Sequence, residues 1–154
     1  MKKSRKSELG VMGNKYMVID AAGLILGRLA SNVAKKILNG EEVTVVNAEK
    51  TVILGRKKFI VERFQKRLGT RTLGSQNKAP QHPRRPDTYL RRVVRGMIPW
   101  RKPKGKEAYK RLKVFVGLPK SFSKKNVETI PEAKTSGIPS ITVGELMMIF
   151  GWQS

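Results

Sequence analysis

The sequence contains no cysteine and one histidine, His82. The first absence removes disulfides, thiolate metal sites and thiol nucleophiles together. The second leaves no histidine pair to hold a metal and no acid near His82 to build a triad, since no Asp or Glu lies between Glu62 and Asp87. His82 therefore reads either as an ordinary loop residue or as a ring that meets a phosphate or stacks on a base. Acids are scarce as well, 11 against 33 Lys and Arg, a net charge of +22. Asp20, Glu41, Glu42 and Glu49 show no spacing of an acid/base pair, and Asp20 is better read as closing a turn than as a catalytic acid. The longest apolar run is five residues, Leu146 to Phe150, far short of the roughly 20 needed to span a bilayer. Lys2, Lys3, Arg5 and Lys6 precede Ser7-Glu8-Leu9-Gly10 where a signal peptide requires an apolar stretch. The expectation is an intracellular protein, free or particle-bound, with no membrane partner.

Cofactor loops are also missing. Gly23-Leu24-Ile25-Leu26-Gly27-Arg28 opens a predicted helix after a predicted strand, a place where backbone N–H groups can hold phosphate. It has three residues between its glycines and no Lys-Ser/Thr, so it is no Walker A loop, and it lacks G-x-G-x-x-G. The glycines are read as turn and packing residues. No metal, cofactor, small-molecule substrate or reaction is expected.

What is present is positive charge, and it is concentrated. Between Arg56 and Lys113 stand 20 Lys or Arg and three acids, a net +17. Apolar residues recur through the span at helical spacing, so it is expected to fold and not to repel itself into disorder. At about 100° per residue, Leu90, Val93, Val94, Met97 and Ile98 share one arc of a helix over 87–98, and Arg91, Arg92 and Arg95 the adjoining one. Arg84, Arg85, Arg91, Arg92, Arg95 and Arg101 are all arginine, whose planar fork matches phosphate bidentately and stacks on bases. A polyanion of fixed geometry, RNA first, is the expected partner.

The 154 residues suit one domain with a modest core, 39% of residues being hydrophobic. Residues 1–15 read as a flexible basic arm. Tyr16 to Asp20 predicts a buried strand, Leu26 to Leu38 a helix with Leu26, Leu29, Ala30, Val33 and Ile37 inward, and Val43 to Asn47 a second strand parallel to the first. Thr51 to Leu54 is a third strand or its remnant, and 57–68 a helix with Phe59, Ile60, Phe64 and Leu68 inward. Such alternation indicates an α/β sheet with helices on its faces. Residues 69–86, broken by Gly and Pro, form a loop expected to be ordered by RNA. A basic turn over 100–106, a helix over 107–112 and a strand over 114–116 follow. The segment 120–140 reads as irregular, and Thr142-Val143-Gly144-Glu145 as a capping box before a docking helix whose Met148, Ile149 and Trp152 are expected to be buried in this chain.

The candidate RNA-binding residues follow the charge. They are Arg28 on the polar side of the first helix; Arg56, Lys57 and Lys58 at the start of the second; and Arg67 and Arg71 near its end. The loop adds Lys78, His82, Arg84 and Arg85, and the basic helix Arg91, Arg92 and Arg95. Arg101, Lys102, Lys104, Lys106, Lys110 and Arg111 complete the set, with Trp100 as the aromatic most suited to contact because it lies in a basic turn; Tyr89, Tyr109 and Phe122 suit a core at least as well.

Four segments stand out in order: Val18-Ile19-Asp20-Ala21 with Leu26-Gly27-Arg28-Leu29-Ala30-Ser31, Val46-Asn47-Ala48-Glu49-Lys50, Arg95-Gly96-Met97-Ile98-Pro99, and Gly105-Lys106-Glu107-Ala108 running into Arg111-Leu112-Lys113-Val114-Phe115-Val116-Gly117. Together they resemble the universal large-subunit ribosomal protein family thirteen, in its archaeal and eukaryotic form. The resemblance covers about residues 16–122. It implies a three-layer α/β/α fold around a mostly parallel sheet of about four strands, with basic helical and loop extensions. It further implies no enzymatic activity, and a place in the large ribosomal subunit, bound to its rRNA beside other large-subunit proteins, with a part in assembly and rRNA contact at Arg91, Arg92, Arg95, Arg101 and Lys102. On this reading 1–15 is an arm, 16–122 an rRNA-binding domain with a basic insertion over 69–113, and 123–154 a tail with a short docking helix. A free-standing DNA- or RNA-compacting protein is the alternative; an RNA-acting enzyme would need a nucleophile, metal set or cofactor loop that is not found.

Overall fold

The computed structural model describes residues 16–72, 74, 78–119, 122, 127–134 and 137–153. The basic segment 1–15, and Gln76 and Asn77 of the long loop, lie outside the described residues. Strands β1 (Tyr16–Asp20) and β2 (Glu42–Val46) pair in parallel, Tyr16 opposite Glu42 and Asp20 opposite Val46. Helix α1 (Leu26–Leu38) joins them. Consecutive residues in these strands, Val18 and Ile19 in one and Val43 to Val46 in the other, are buried. Successive strand side chains point to opposite faces, so burial without alternation requires protein on both. The result is the three-layer α/β/α arrangement, with α1 turning Leu26, Leu29, Ala30, Val33, Ala34 and Ile37 into the core. It also packs against α3 (Pro86–Gly96) and α4 (Pro103–Lys110).

Beyond β2 lies β4 (Leu112–Val114), and on the far side of β1 lies β5 (Val127–Glu128), giving a four-stranded sheet with every neighbouring pair parallel. The segment expected to be irregular therefore closes one edge of the sheet. Strand β3 (Val52–Leu54) is not part of it. It pairs antiparallel with β6 (Ser140–Thr142) in a separate two-stranded sheet, Ile53 opposite Ile141. These two strands are too short, three residues each, for sequence pattern to say which sheet they join.

A polar knot fastens the carboxyl ends of β1 and β2. The Asp20 carboxylate accepts from the Ala22 backbone N–H (2.9 Å) and from the Asn47 side-chain amide (2.8 Å). Asn47 itself sits at a left-handed φ of 56°, a conformation that asparagine tolerates better than most residues. Glu49 then accepts from the Gly117 N–H at 3.0 Å. Asp20 closes the turn, as its place after the strand predicts. Gly23, at φ +70°, supplies the turn, but Gly27 is exposed with open space around it and does no packing.

Helix α2 (Lys57–Gly69) buries Phe64 and leaves Phe59 64% exposed, against expectation. Phe59 lies roughly 140° round the helix from Phe64, whereas Ile60 and Leu68 lie within about 40°, and those two take the inward side. Helix α3 ends at Gly96, so Met97 leaves the predicted apolar arc and is exposed, while Ile98 reaches the core through the turn. Helix α5 (Val143–Ile149) begins with the Thr142 hydroxyl accepting from the Glu145 N–H, as the capping box requires. Its Leu146 and Met147 are buried, but Met148 and Ile149 are about half exposed, because a seven-residue helix docks by one face; Trp152 is the partly buried one.

Helix α4 starts at Pro103, four residues before the predicted Glu107, because the chain bends back on itself there. A Cβ added to Gly105 would stand 2.2 Å from the Pro99 carbonyl oxygen. The strand that follows is correspondingly early, and Phe115 and Val116 are exposed beyond it. Exchange of a helical glycine for alanine ordinarily stabilises by about 1 kcal/mol. Gly105→Ala is expected to do the reverse, costing about 1–3 kcal/mol through the backbone clash. Thermal unfolding followed by circular dichroism checks it, and a variant as stable as the parent would contradict the close approach.

Candidate nucleic-acid interface

The basic residues fall into three groups with different surroundings. The first is built by the end of α2, residues 78–85 and the start of α3. Arg71, His82 and Arg84 line one shallow cleft, and Arg67, His82 and Arg92 the cleft beside it, so His82 shares its two clefts with four arginine residues. Two of these are held by backbone carbonyls: Arg71 donates to Leu68 O at 2.9 Å, and Arg92 donates to Gln81 O. The Arg92 contact ties α3 to the loop, and Arg92 is only partly exposed. Lys78 is exposed nearby in sequence. Arg85 pairs with Asp87 at 3.2 Å, in the first turn of α3.

The second group runs from α3 through the turn to α4. The Arg91 guanidinium lies over the Tyr109 ring (5.2 Å), Tyr109 meets Trp100 edge to face (5.0 Å, 80°), and the Arg95 guanidinium lies over Trp100 (5.5 Å). Arg101, Lys102, Lys104, Lys106 and Lys110 are all exposed along the turn and α4. The third group is at the other end of α2, where Arg56 and Lys58 flank the exposed Phe59 and Lys57 is exposed beside them.

Two candidates are engaged elsewhere. Arg28 donates to the Glu132 backbone carbonyl at 3.1 Å, holding the turn over 131–133, and Arg111 donates to Ile37 O at 3.3 Å, closing the end of α1. Of the remaining aromatics, Tyr89 packs edge-on to Phe64 and Phe122 against Phe115. One residue outside the expected set belongs with the first group. Arg63 is exposed and lines a groove with Arg67, Phe64 and Tyr89; its spacing of four from Arg67 on one helix face was the available signal.

The electrostatics of these groups is one-sided. Among the described residues of the basic stretch 56–113 the one ion pair is Arg85–Asp87. There Arg71, Arg92 and Arg111 donate to backbone carbonyls, and Arg91 and Arg95 lie over rings. Confinement of His82, and then the positive charge of Arg92 and Arg67, hold its pKa below the usual 6.5, so the ring is neutral at pH 7. Burial pushes the Tyr89 hydroxyl up, with Arg67 and Arg63 opposing. Because the folded pKa of His82 lies below the unfolded one, its contribution to stability is present above 6.5 and falls as pH drops through the window beneath it. The His82 ring should titrate below 6.5 by proton NMR, and Arg92→Ala should move the midpoint upward; a midpoint unmoved by that exchange would mean the guanidinium does not face the ring.

Comparison with known proteins follows the same lines. A sequence profile for the family described as Ribosomal protein L13 matches residues 14–121. The chain is 40% identical over 146 residues to Large ribosomal subunit protein uL13 of Archaeoglobus fulgidus, with 92% of each chain covered. It is 44% identical over 136 residues to the protein of that name in Methanosphaera stadtmanae and 46% over 135 residues to that of Methanocaldococcus jannaschii, each alignment covering 87% of this chain and 96% of the relative.

Proposed function

The chain belongs to the ribosomal protein L13 family, a structural and non-enzymatic component of the large ribosomal subunit in the cytoplasm, and we propose that it binds large-subunit rRNA through the α2, α3 and α4 basic groups. The observation that carries this reading is the uncompensated arginine surface: one ion pair among the described residues of 56–113, against the 20 Lys or Arg that the sequence places there. Cations gathered on helices of a folded domain repel one another, and a polyanion removes that cost. The α/β core supplies the rigidity, and the Arg91 and Arg95 guanidinium groups are presented over the Tyr109 and Trp100 rings.

Most of the affinity comes from counterions released as phosphates are neutralised, and RNA shape is read more than base sequence. By bringing RNA segments together on one rigid body, the protein supports subunit assembly, next to neighbouring large-subunit proteins. Arg28 and Arg111, already bonded to backbone carbonyls, contribute less than the exposed Arg95, Arg101 and Lys102.

Arg95→Ala or Arg101→Ala should weaken binding of the full chain to large-subunit rRNA and lower the slope of log K against log salt by about one, the removal of one phosphate contact. Circular dichroism should be unchanged, because both side chains are exposed. Filter binding against salt measures this, with duplex DNA as the control. Equal affinity for DNA and rRNA at matched salt, together with release from the large subunit in high-salt sucrose gradients, would sink the rRNA reading in favour of general polyanion compaction.

A further inference from the structure

The turn between α3 and α4 holds a large aromatic ring at the surface when the sequence could have hidden it. Trp100 is 39% exposed. The chain around it is fixed: Trp100 N–H donates to Ile98 O (2.7 Å), Lys102 N–H donates to Pro99 O (2.9 Å), and Gly105 presses on that same Pro99 carbonyl. Tyr109 braces the indole at 80°, and Arg91 braces Tyr109. Trp100 is no part of the buried core, and its ring contacts are Tyr109 on one side and the Arg95 guanidinium on another.

Resting on the rRNA reading above, we propose that Trp100 is the seat for one unpaired RNA base and that Arg95 takes the phosphate of the same nucleotide. The Arg95 guanidinium now lies over the indole, a contact that is weak at exposed sites. A nucleotide replaces it at both ends, its base stacking on the ring and its phosphate receiving the guanidinium fork. The exposed cations Arg101, Lys102 and Lys104, which follow Trp100 in the chain, disfavour an ordinary apolar protein surface there and favour a ligand that is aromatic and anionic at once. Within a duplex the base faces are covered by their neighbours, so the seat selects a bulged or single-stranded nucleotide, a discrimination that phosphate contacts alone do not make.

The full chain carrying Trp152→Phe has Trp100 as its one tryptophan. It is titrated with a short single-stranded RNA and with a duplex of equal phosphate number, following fluorescence for the ring and anisotropy of labelled RNA for binding. Saturable quenching is expected with the single strand and little with the duplex. Trp100→Ala should lower single-strand affinity about tenfold, the order of one lost base stack, and duplex affinity less than about twofold, with Trp100→Phe restoring most of the difference. Salt-dependent binding of both RNAs without quenching would remove the seat and leave the phosphate reading standing. Failure of either RNA to bind would remove both. If Trp100→Ala unfolds, as circular dichroism would report, the quenching and the Trp100→Phe affinity decide. Quenching by isolated large-subunit proteins and not by RNA would give the ring to a protein neighbour and overturn the proposal.

Discussion

The two central strands are covered on both faces, and this constraint governs where everything else can go. A strand buried in this way has no solvent for its backbone polar groups, so each must find its partner along the ladder. β1 finds them in β2 and β5, and β2 in β1 and β4. The buried polar residues of the described set are Thr44 and Thr51. The charged residues of the sheet, Asp20, Glu42, Lys113 and Glu128, are partly or fully exposed, and Lys113 is the one Lys or Arg among the described residues of its four strands. The concentration of charge in α2, α3, α4 and their connections is the complement of an apolar centre made of β1, α1 and β2.

That division explains what could be read in advance. β1, α1 and β2 stand close to where periodicity placed them, because their pattern is set by a single core and by neighbours near in sequence; the α1 residues Leu26, Leu29, Ala30, Val33 and Ile37 are all buried as spacing predicts. The elements misread depend on distant partners. β5 and β6 are strands because β1 and β3 offer them free edges, 109 and 88 residues earlier at the pairs Val18–Val127 and Ile53–Ile141, and a two- or three-residue strand has no pattern of its own. Phe59, placed inward on the helix over 57–68, Met97, placed on the apolar arc over 87–98, and Met148 and Ile149, expected to be buried in this chain, are all exposed. The concentration of cations in the candidate interface was legible from composition. Its grouping was not: that Arg67, Arg92 and His82 share a cleft, and that Arg91, Tyr109, Trp100 and Arg95 alternate cation and ring, depends on how α2, α3 and α4 meet.

The same geometry separates holding from binding among the arginines. Arg28, Arg92 and Arg111 each bridge two segments through a backbone carbonyl, so they belong to the folded chain as much as to any ligand. Arg95 and Arg101 have no such duty. A basic surface of this kind is a poor one for a free protein, because like charges held on a rigid frame repel at every separation shorter than the screening length. Whatever polyanion occupies it adds to the stability of the folded chain by mass action, so the isolated and the assembled molecule differ in stability without any change of fold.

The parallel strand Val127–Glu128 and the antiparallel strand Ser140–Thr142 have a consequence for the order in which the molecule can be made. Synthesis delivers β1, α1 and β2 first, yet the outer edge of β1 is closed by residue 127 and its neighbour, and β3 waits for residue 140. Until those residues are out, the growing chain carries two open strand edges beside a strongly cationic stretch. Open edges invite pairing with other chains, while the charge discourages two copies from approaching. A chain stopped short of residue 127 would keep the net +17 of residues 56–113 and lack the strands that close the fold.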